Sequence, residues 1–388
     1  MVGAIEHIDF IANPSLPESS RPFKGLTARP GANTMYQTSE VGLERIAIVS
    51  EDISRPVDEG FKKATVRLAE AIKALVPVTV VFTRTPDGAA LEARPLPGNK
   101  LLWNEAFAKS LRTFDPDAIL YVPEAAATPM SIVRAASLRR QSAGKPVALL
   151  SLQRRTYPAL ITPLLKSLGP DLILVLSTPG LELVRGIARK VRRVPLGVDS
   201  ETFRPPGPEA KQDLRSKYDL PDGRIILHVG HVSPGRNLAV LRRIADGATR
   251  VLVVCSTTTR RHPEVEAVLR SPRVIMMDSY IEHVEEIYRL ADGYVFPTFS
   301  ATDAIDLPLS VLEAMATNLP VAATTFGGLP DLFGNGDGFF MCTTEDELVA
   351  AARSMLATET IATRDKVLGL SWRKAAEAVL EAIDSEVL

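Results

Sequence analysis

The chain has 388 residues, 46% of them hydrophobic and 23% charged, a globular composition too long for one ordinary core, so two domains of roughly 150 to 200 residues are expected. Its 45 basic and 46 acidic side chains nearly cancel, which excludes capture of nucleic acid or an anionic membrane by bulk charge and leaves any anion to a local site. The two cysteines, Cys255 and Cys342, sit in apolar stretches and read as core thiols of a reduced, cytoplasmic protein, not as a disulfide framework or a cysteine zinc site.

Residues 1–43 mix Pro, Ser, Gly and Asn without periodicity and are expected to form an extended arm. From residue 44 to 195 strand and helix patterns alternate: RIAIVS, GFKKATVRLAEAIKAL, PVTVVF, NEAFAKSLRTF, AILYV, PVALLSL and DLILVLS. That alternation predicts an α/β domain, doubly wound around a mostly parallel sheet. The turn- and Pro-rich RRVPLGVDSETFRPPGPEAK breaks the pattern and reads as a linker. A second α/β domain is expected over 196–365, through RIILHVG, NLAVLRRIAD, RVLVVCS, RVIMMDS, VEEIYRLAD and GYVFPT. Residues 366–388 end in SWRKAAEAVLEAIDSEVL, where Ser371 stands as an N-cap and Trp372, Ala376, Val379 and Ile383 fall at helical spacing; an amphipathic helix packing back on the domains is predicted. No run reaches the roughly 18 apolar residues of a membrane span, and the first residues lack a basic-plus-apolar leader, so any membrane contact is expected to be peripheral.

Open parallel sheets bind ligands beyond the carboxyl ends of their strands, which directs attention to three stretches. In HVGHVSPGRN, Gly230 and Gly235 frame a loop and Arg236 begins the next helix; exposed N–H groups, a positive helix end and a guanidinium suit a phosphate. The spacing imitates a P-loop, but Arg236 stands for its lysine and Asn237 for its hydroxyl, which argues against that class; a Gly-rich turn with a surface Arg is the plain alternative. In IDLPLSVLEAMATNLP, Asp306 is a candidate helix cap, Leu309, Leu312, Met315 and Ala316 form a core stripe, and Glu313 falls on a neighbouring face with Ser310 and Thr317. A carboxylate so placed needs donors: either a ligand's hydroxyls or a neighbouring Lys or Arg. In TTFGGLPDLF, Gly327 and Gly328 let backbone approach a ligand closely.

The series VPLGVDSETFRP, HVGHVSPGRN, ADGYVFPT, LPLSVLEAMATNLPVAATTFGGLPDLF and LSWRKAAEAVL resembles, in order and spacing, the family 4 retaining glycosyltransferases of the GT-B fold, over roughly residues 170 to 388. The resemblance implies two Rossmann-like domains facing a cleft, the second binding a nucleoside diphosphate sugar and the first an acceptor hydroxyl, with no metal and no other cofactor. It implies that Glu313 is the second glutamate of the family's E-x7-E motif, holding the ribose, and that Arg236 is the basic residue opposite the donor diphosphate. Gly230, His231, Asn237, Leu309, Ser310, Gly327 and Gly328 are then donor-binding, with His231 where the family usually has arginine. At the first glutamate's position this chain has Ile305; Asp306 is adjacent and Asp303 two residues further back, so Asp306, or backbone N–H groups of residues 307, 309 and 310, is expected to meet the sugar. In the first domain Gly60 opens a helix, Glu124 follows the strand AILYV near where some members have an acceptor-side histidine, and Arg154 and Arg155 follow PVALLSL; these are the acceptor-side candidates. The Asp115-Pro116-Asp117 triplet imitates a metal-binding DxD but is expected only to lead into a strand. The function implied is retaining glycosyl transfer, the alternative being a GT-B protein that binds a nucleotide sugar or glycan without transferring it.

Overall fold

A computed structural model describes residues 42–124, 126–207, 210–257 and 262–388; the arm expected over 1–43 lies, but for its last two residues, outside them. Seven strands, β1 (Arg45–Ser50), β2 (Val78–Thr83), β3 (Arg94–Pro95), β4 (Ala118–Val122), β5 (Val147–Ser151), β6 (Leu172–Val175) and β7 (Val191–Arg193), form a sheet in the order β3-β2-β1-β4-β5-β6-β7. Six more, β8 (Arg224–Gly230), β9 (Thr249–Cys255), β10 (Val274–Met277), β11 (Gly293–Phe296), β12 (Val321–Thr324) and β13 (Phe339–Cys342), form a second in the order β10-β9-β8-β11-β12-β13. Every pairing is parallel. Helices cover both faces of such sheets, which is why the central strands β1, β4, β5 and β11 are continuous buried apolar runs. Each sheet reverses its winding between its first and fourth strands, β1 and β4 in one lobe and β8 and β11 in the other, which opens a crevice at the strand ends.

Local chemistry sets the element ends. The helix Glu105–Phe114 is capped by Asn104, which accepts from the Phe107 N–H at 2.7 Å, and is closed by left-handed Asp115. Asp117 of the DxD-like triplet accepts the Glu44 and Arg45 N–H groups at 2.9 and 2.8 Å, and Asp115 pairs with Lys145. Both carboxylates are thus committed to joining β1, β4 and a neighbouring loop. The last helix, Trp372–Val387, is capped by Ser371, which accepts from the Lys374 N–H. Its Ala376, Val379, Leu380 and Ile383 share one core with Ile46, Ile72 and Leu174 of the first lobe, where it lies along the helix Gly60–Lys73. Among the described residues no helix is long and apolar enough to cross a membrane.

The two lobes are joined through Asp306, which is 2% exposed. Its Oδ1 accepts from Arg154 Nε at 2.7 Å, its Oδ2 from the Ser177 hydroxyl, and its N–H donates to the Leu152 carbonyl at 2.7 Å. All three partners lie at or just past the carboxyl ends of β5 and β6. Asp331 reinforces the joint, accepting from the Thr178 N–H at 2.6 Å and pairing with Arg193 at 3.0 Å. Several expectations are corrected here. Asp306 neither caps a helix nor faces the cleft: Pro308 occupies the cap of Leu309–Ala316, and the carboxylate finds the donors its burial demands in the opposite lobe. Arg154, expected beside the acceptor, is spent on Asp306, with its guanidinium 5.2 Å from the centre of the Phe326 ring. Gly327 and Gly328 admit backbone, not a ligand. Gly327 has φ +54°, and a Cβ there would stand 2.0 Å from the Asp306 carbonyl, which accepts from the Gly328 N–H at 2.7 Å.

Removing one partner of a buried ion pair strands the other, so Asp306→Ala is expected to lower unfolding free energy by about 3 to 5 kcal/mol in urea titrations, and Asp306→Asn, which keeps an acceptor oxygen, by clearly less. Equal, small effects of both would mean that the joint does not bear on stability.

Candidate functional site

Between the lobes lies a cavity of about 450 Å³. The first lobe contributes Asp58, Glu59, Gly60, Phe61 and Lys63 after β1, Glu124 after β4 and Gln153 after β5; the second contributes Gly230, His231, Ser233 and Arg236 after β8, and Thr302 to Ile305, Pro308 to Ser310 and Glu313 after β11. A second chamber of about 410 Å³ is walled by Val254 to Thr257 after β9, Ser279 to Glu282 after β10, the crossing segment Gly197 to Asp199, and Arg55, Val66, Arg67 and Glu70 of the first lobe. The chambers meet at Asp58, Lys63, Val229, Gly230 and Glu313.

Arg236 closes a 3-10 turn, Pro234–Arg236, and left-handed Asn237 follows. The next helix, Val240–Ile244, begins only later, so the helix end expected beside Arg236 is not there. Another takes its place, because Leu309–Ala316 points its amino end, with Leu309 and Ser310, into the same cavity; the first N–H groups of a helix have no intrahelical acceptor. Gly235 lies so close to Asp303 that a Cβ would stand 2.1 Å from Oδ2, which seats the turn against that carboxylate.

Electrostatically, Arg236 stands out. Only 8% of it is exposed, its Nε has no hydrogen-bond partner, and among the described residues no carboxylate is within ion-pair distance. Burial pulls its pKa down from the usual arginine value, with Tyr294 and Asp303 pulling the other way. Behind it, His228 Nε2 and Asn237 Nδ2 are also buried without partners, and Asn237 does not reach the cavity wall. His231 is held neutral, its pKa pushed down to about 4 by burial and then by the Arg236 charge.

Glu313, 5% exposed, already has donors: Lys63 Nζ at 2.7 Å on Oε1 and the Tyr288 hydroxyl at 2.9 Å on Oε2. Both alternatives left open by its sequence context therefore meet in one group, a carboxylate paired with a lysine yet lining both chambers. Opposite, Asp58 crosses to the second lobe, accepting from the Thr257 N–H and hydroxyl, both at 2.9 Å, and from Ser256 at 3.2 Å. Ile305 is in the wall with its Cδ1 3.5 Å from where a Gly60 Cβ would be, so an apolar contact between lobes fills the place where the resemblance implies a glutamate. The cavity-lining carboxylate nearest that place in sequence is Asp303. Glu124 is exposed at the rim; Arg155 is exposed and lines neither chamber, a correction to its acceptor-side placement. Sequence reasoning missed Lys63 and Tyr288, and with them the chamber after β9 and β10. Lys63 is the fourth residue of GFKKATVRLAEAIKAL, three residues after Gly60, and that one-turn spacing was the available signal.

Residues 223–358 match the model of the glycosyl transferases group 1 family. The sulfoquinovosyl transferase SQD2 of Arabidopsis thaliana is 27% identical over 191 residues, 47% of this chain and 37% of that protein, so the chain spans little more than a third of its curated relative. Among solved structures, sucrose-phosphate synthase from Thermosynechococcus elongatus superposes with a TM-score of 0.68 at 18% identity, covering 88% of this chain and 98% of the other. Anabaena HepE in complex with UDP and glucose gives 0.69 at 14% identity, covering 88% and 100%. The two parallel sheets and the crevice between them are those of the GT-B fold, and residues 223–358 are similar to the glycosyl transferases group 1 family.

Proposed function

We propose that the protein is a retaining glycosyltransferase that binds a nucleoside diphosphate sugar in the second lobe and delivers the sugar to a hydroxyl held by the first. The observation that carries this reading is Arg236, a buried guanidinium without a counter-ion among the described residues, facing a cavity beside a helix amino terminus. A buried unpaired charge is costly and is tolerated where a ligand supplies the opposite charge. The diphosphate would take Arg236 and the N–H groups of Leu309 and Ser310, which also stabilise the charge that grows as the sugar departs. Glu313 would accept the ribose hydroxyls, the chamber after β9 and β10 would take the base, and Asp303 would accept a hydroxyl of the sugar in place of the glutamate absent at 305. Gly60 and Glu124 stand on the acceptor side of the same cavity. Positioning by the two lobes and leaving-group stabilisation supply the catalysis, and no cofactor is called on. The names of the matching family and of SQD2, both transferases, support the class, and the UDP in the HepE complex makes uridine donors the first to try.

The test is a panel of UDP, GDP, ADP and TDP sugars assayed for binding, hydrolysis and transfer to glycan, lipid and small-molecule hydroxyls. Turnover of one donor with the anomeric configuration kept is expected; binding of several with no turnover of any would make this a nucleotide-sugar-binding protein. In the active pair, Arg236→Gln is expected to cut kcat/KM by about 10²- to 10³-fold. Glu313→Ala should weaken the free nucleoside diphosphate, because the ribose contact persists without the sugar, and unchanged affinity would take Glu313 out of the site. Because the His231 pKa is pushed down to about 4 from an ordinary 6.5, its imidazole stays uncharged through mildly acidic pH. Affinity for the intact nucleotide sugar, which has no group titrating there, is therefore expected to be flat from about pH 5.5 to 7.5. A step near pH 6.5 that disappears in His231→Gln would mean that a charged imidazole meets the donor.

A further inference from the structure

The donor site as drawn from the second lobe alone does not balance in charge. A diphosphate diester carries two negative charges and gains a third when the sugar leaves. Against it the loop after β8 sets a single cation, Arg236, since His231 is neutral. Asp303, pressed against Gly235 and acting electrostatically on both Arg236 and His231, offsets that one charge. A further cation is required within reach, and among the described residues the one that lines this cavity stands across the cleft.

We propose that Lys63, carried by the first-lobe helix Gly60–Lys73, is the second cation of the nucleoside diphosphate site, exchanging its Glu313 partner for the diphosphate when the ribose arrives. This rests on the donor reading given above and extends it to a residue of the opposite lobe. Among the described residues, Lys63 and Arg236 are the two cationic side chains of the donor cavity, and Lys63 also lines the neighbouring chamber, whereas Arg55 and Arg67 reach only the latter. Its Nζ stands 2.7 Å from Glu313 Oε1 and 5.4 Å from the centre of the Phe203 ring, with about a quarter (26%) of the side chain still exposed. Glu313 Oε2 is fixed by the buried Tyr288 hydroxyl, so Oε1 is the oxygen free to change partners. A ribose hydroxyl donating to Oε1 replaces the ammonium there, and a flexible four-carbon stem lets the released charge move within the same cavity toward the phosphates. The exchange keeps Lys63 beside an anion before and after binding, while Glu313 Oε1 passes from an ammonium to a hydroxyl donor. It also makes donor binding depend on the lobes being together, because one of the two cations belongs to each.

The experiment measures affinities of UDP, GDP and ADP and of uridine, guanosine and adenosine for the full chain, for Lys63→Gln and for Lys63→Arg, at two salt concentrations. For the nucleotide that wild type binds, Lys63→Gln is expected to weaken the diphosphate tenfold or more and flatten its salt dependence. The nucleoside should bind as well as to wild type or better, since Glu313 is then free, and Lys63→Arg should keep most of the diphosphate affinity. Diphosphate affinity unchanged or raised in Lys63→Gln would make Lys63 a mere competitor of the ribose and overturn the proposal, as would an equal loss for nucleoside and diphosphate. Failure of wild type to bind any of the three diphosphates would instead overturn the donor reading on which it rests.

Discussion

Asp306 is a carboxylate of the second lobe whose side-chain donors come from the first, and the shape of the cleft follows from that arrangement. Burial drives its pKa up, while the Ser177 hydroxyl and the Arg154 guanidinium pull against that shift; without those donors the group could not be seated where it is. Because the donors sit past β5 and β6, and because Asp306 lies just ahead of the helix that carries Ser310 and Glu313, one buried contact fixes how far the strand ends of the first sheet stand from the helix Leu309–Ala316 of the second. Gly327, at φ +54° with no room for a Cβ beside the Asp306 carbonyl, is the local condition for that seat.

Two kinds of contact cross between the lobes, and they differ in what they can do. Asp306 and Asp331 are satisfied away from the cavities, so their pairs specify one relative placement and answer to no ligand. Asp58 with Thr257, and Lys63 with Glu313, line the chambers themselves. Their partners are hydroxyls, amides and an ammonium, groups whose places a ligand's own polar atoms can take. A motion of the lobes that kept Asp306 seated would therefore change the second set and spare the first, in the manner of a hinge beside its own fixed edge.

The sheets were legible because strand and helix periods alternate with little interruption from RIAIVS onward, and parallel strands buried on both faces are hard to mistake. Arg236, His231 and Glu313 were legible as cavity residues because each stands at a fixed offset from the end of β8 or from a helix start. Asp306, Arg154, Gly327 and Gly328 were misread for one reason. Each lies in a loop that follows a strand, where ligands and lobe-to-lobe contacts make the same demands on sequence: a charged group, or a glycine where backbone must come close. Nothing local distinguishes a carboxylate waiting for a sugar from one waiting for an arginine about 150 residues earlier in the chain. Lys63 escaped notice for the converse reason, since a lysine on an amphipathic helix ordinarily reads as solvated surface.

The substitution of histidine where the family resemblance implies arginine becomes intelligible once burial is considered. Two cations confined beside each other at the foot of β8 would each have to be stripped of water and would repel. A guanidinium cannot shed its proton to relieve that cost, but an imidazole can. Arg236 therefore keeps its charge and His231 gives its own up, remaining a hydrogen-bonding group with no electrostatic pull. Asp303 then sits close enough to act on both, leaving the loop near neutrality as a whole although it contains an unpaired buried arginine. A loop of that kind orients a phosphate well and attracts it weakly. For a phosphate in that cavity the long-range attraction would come from charge elsewhere, and among the described residues the remaining cation of the cavity, Lys63, stands in the lobe opposite the loop.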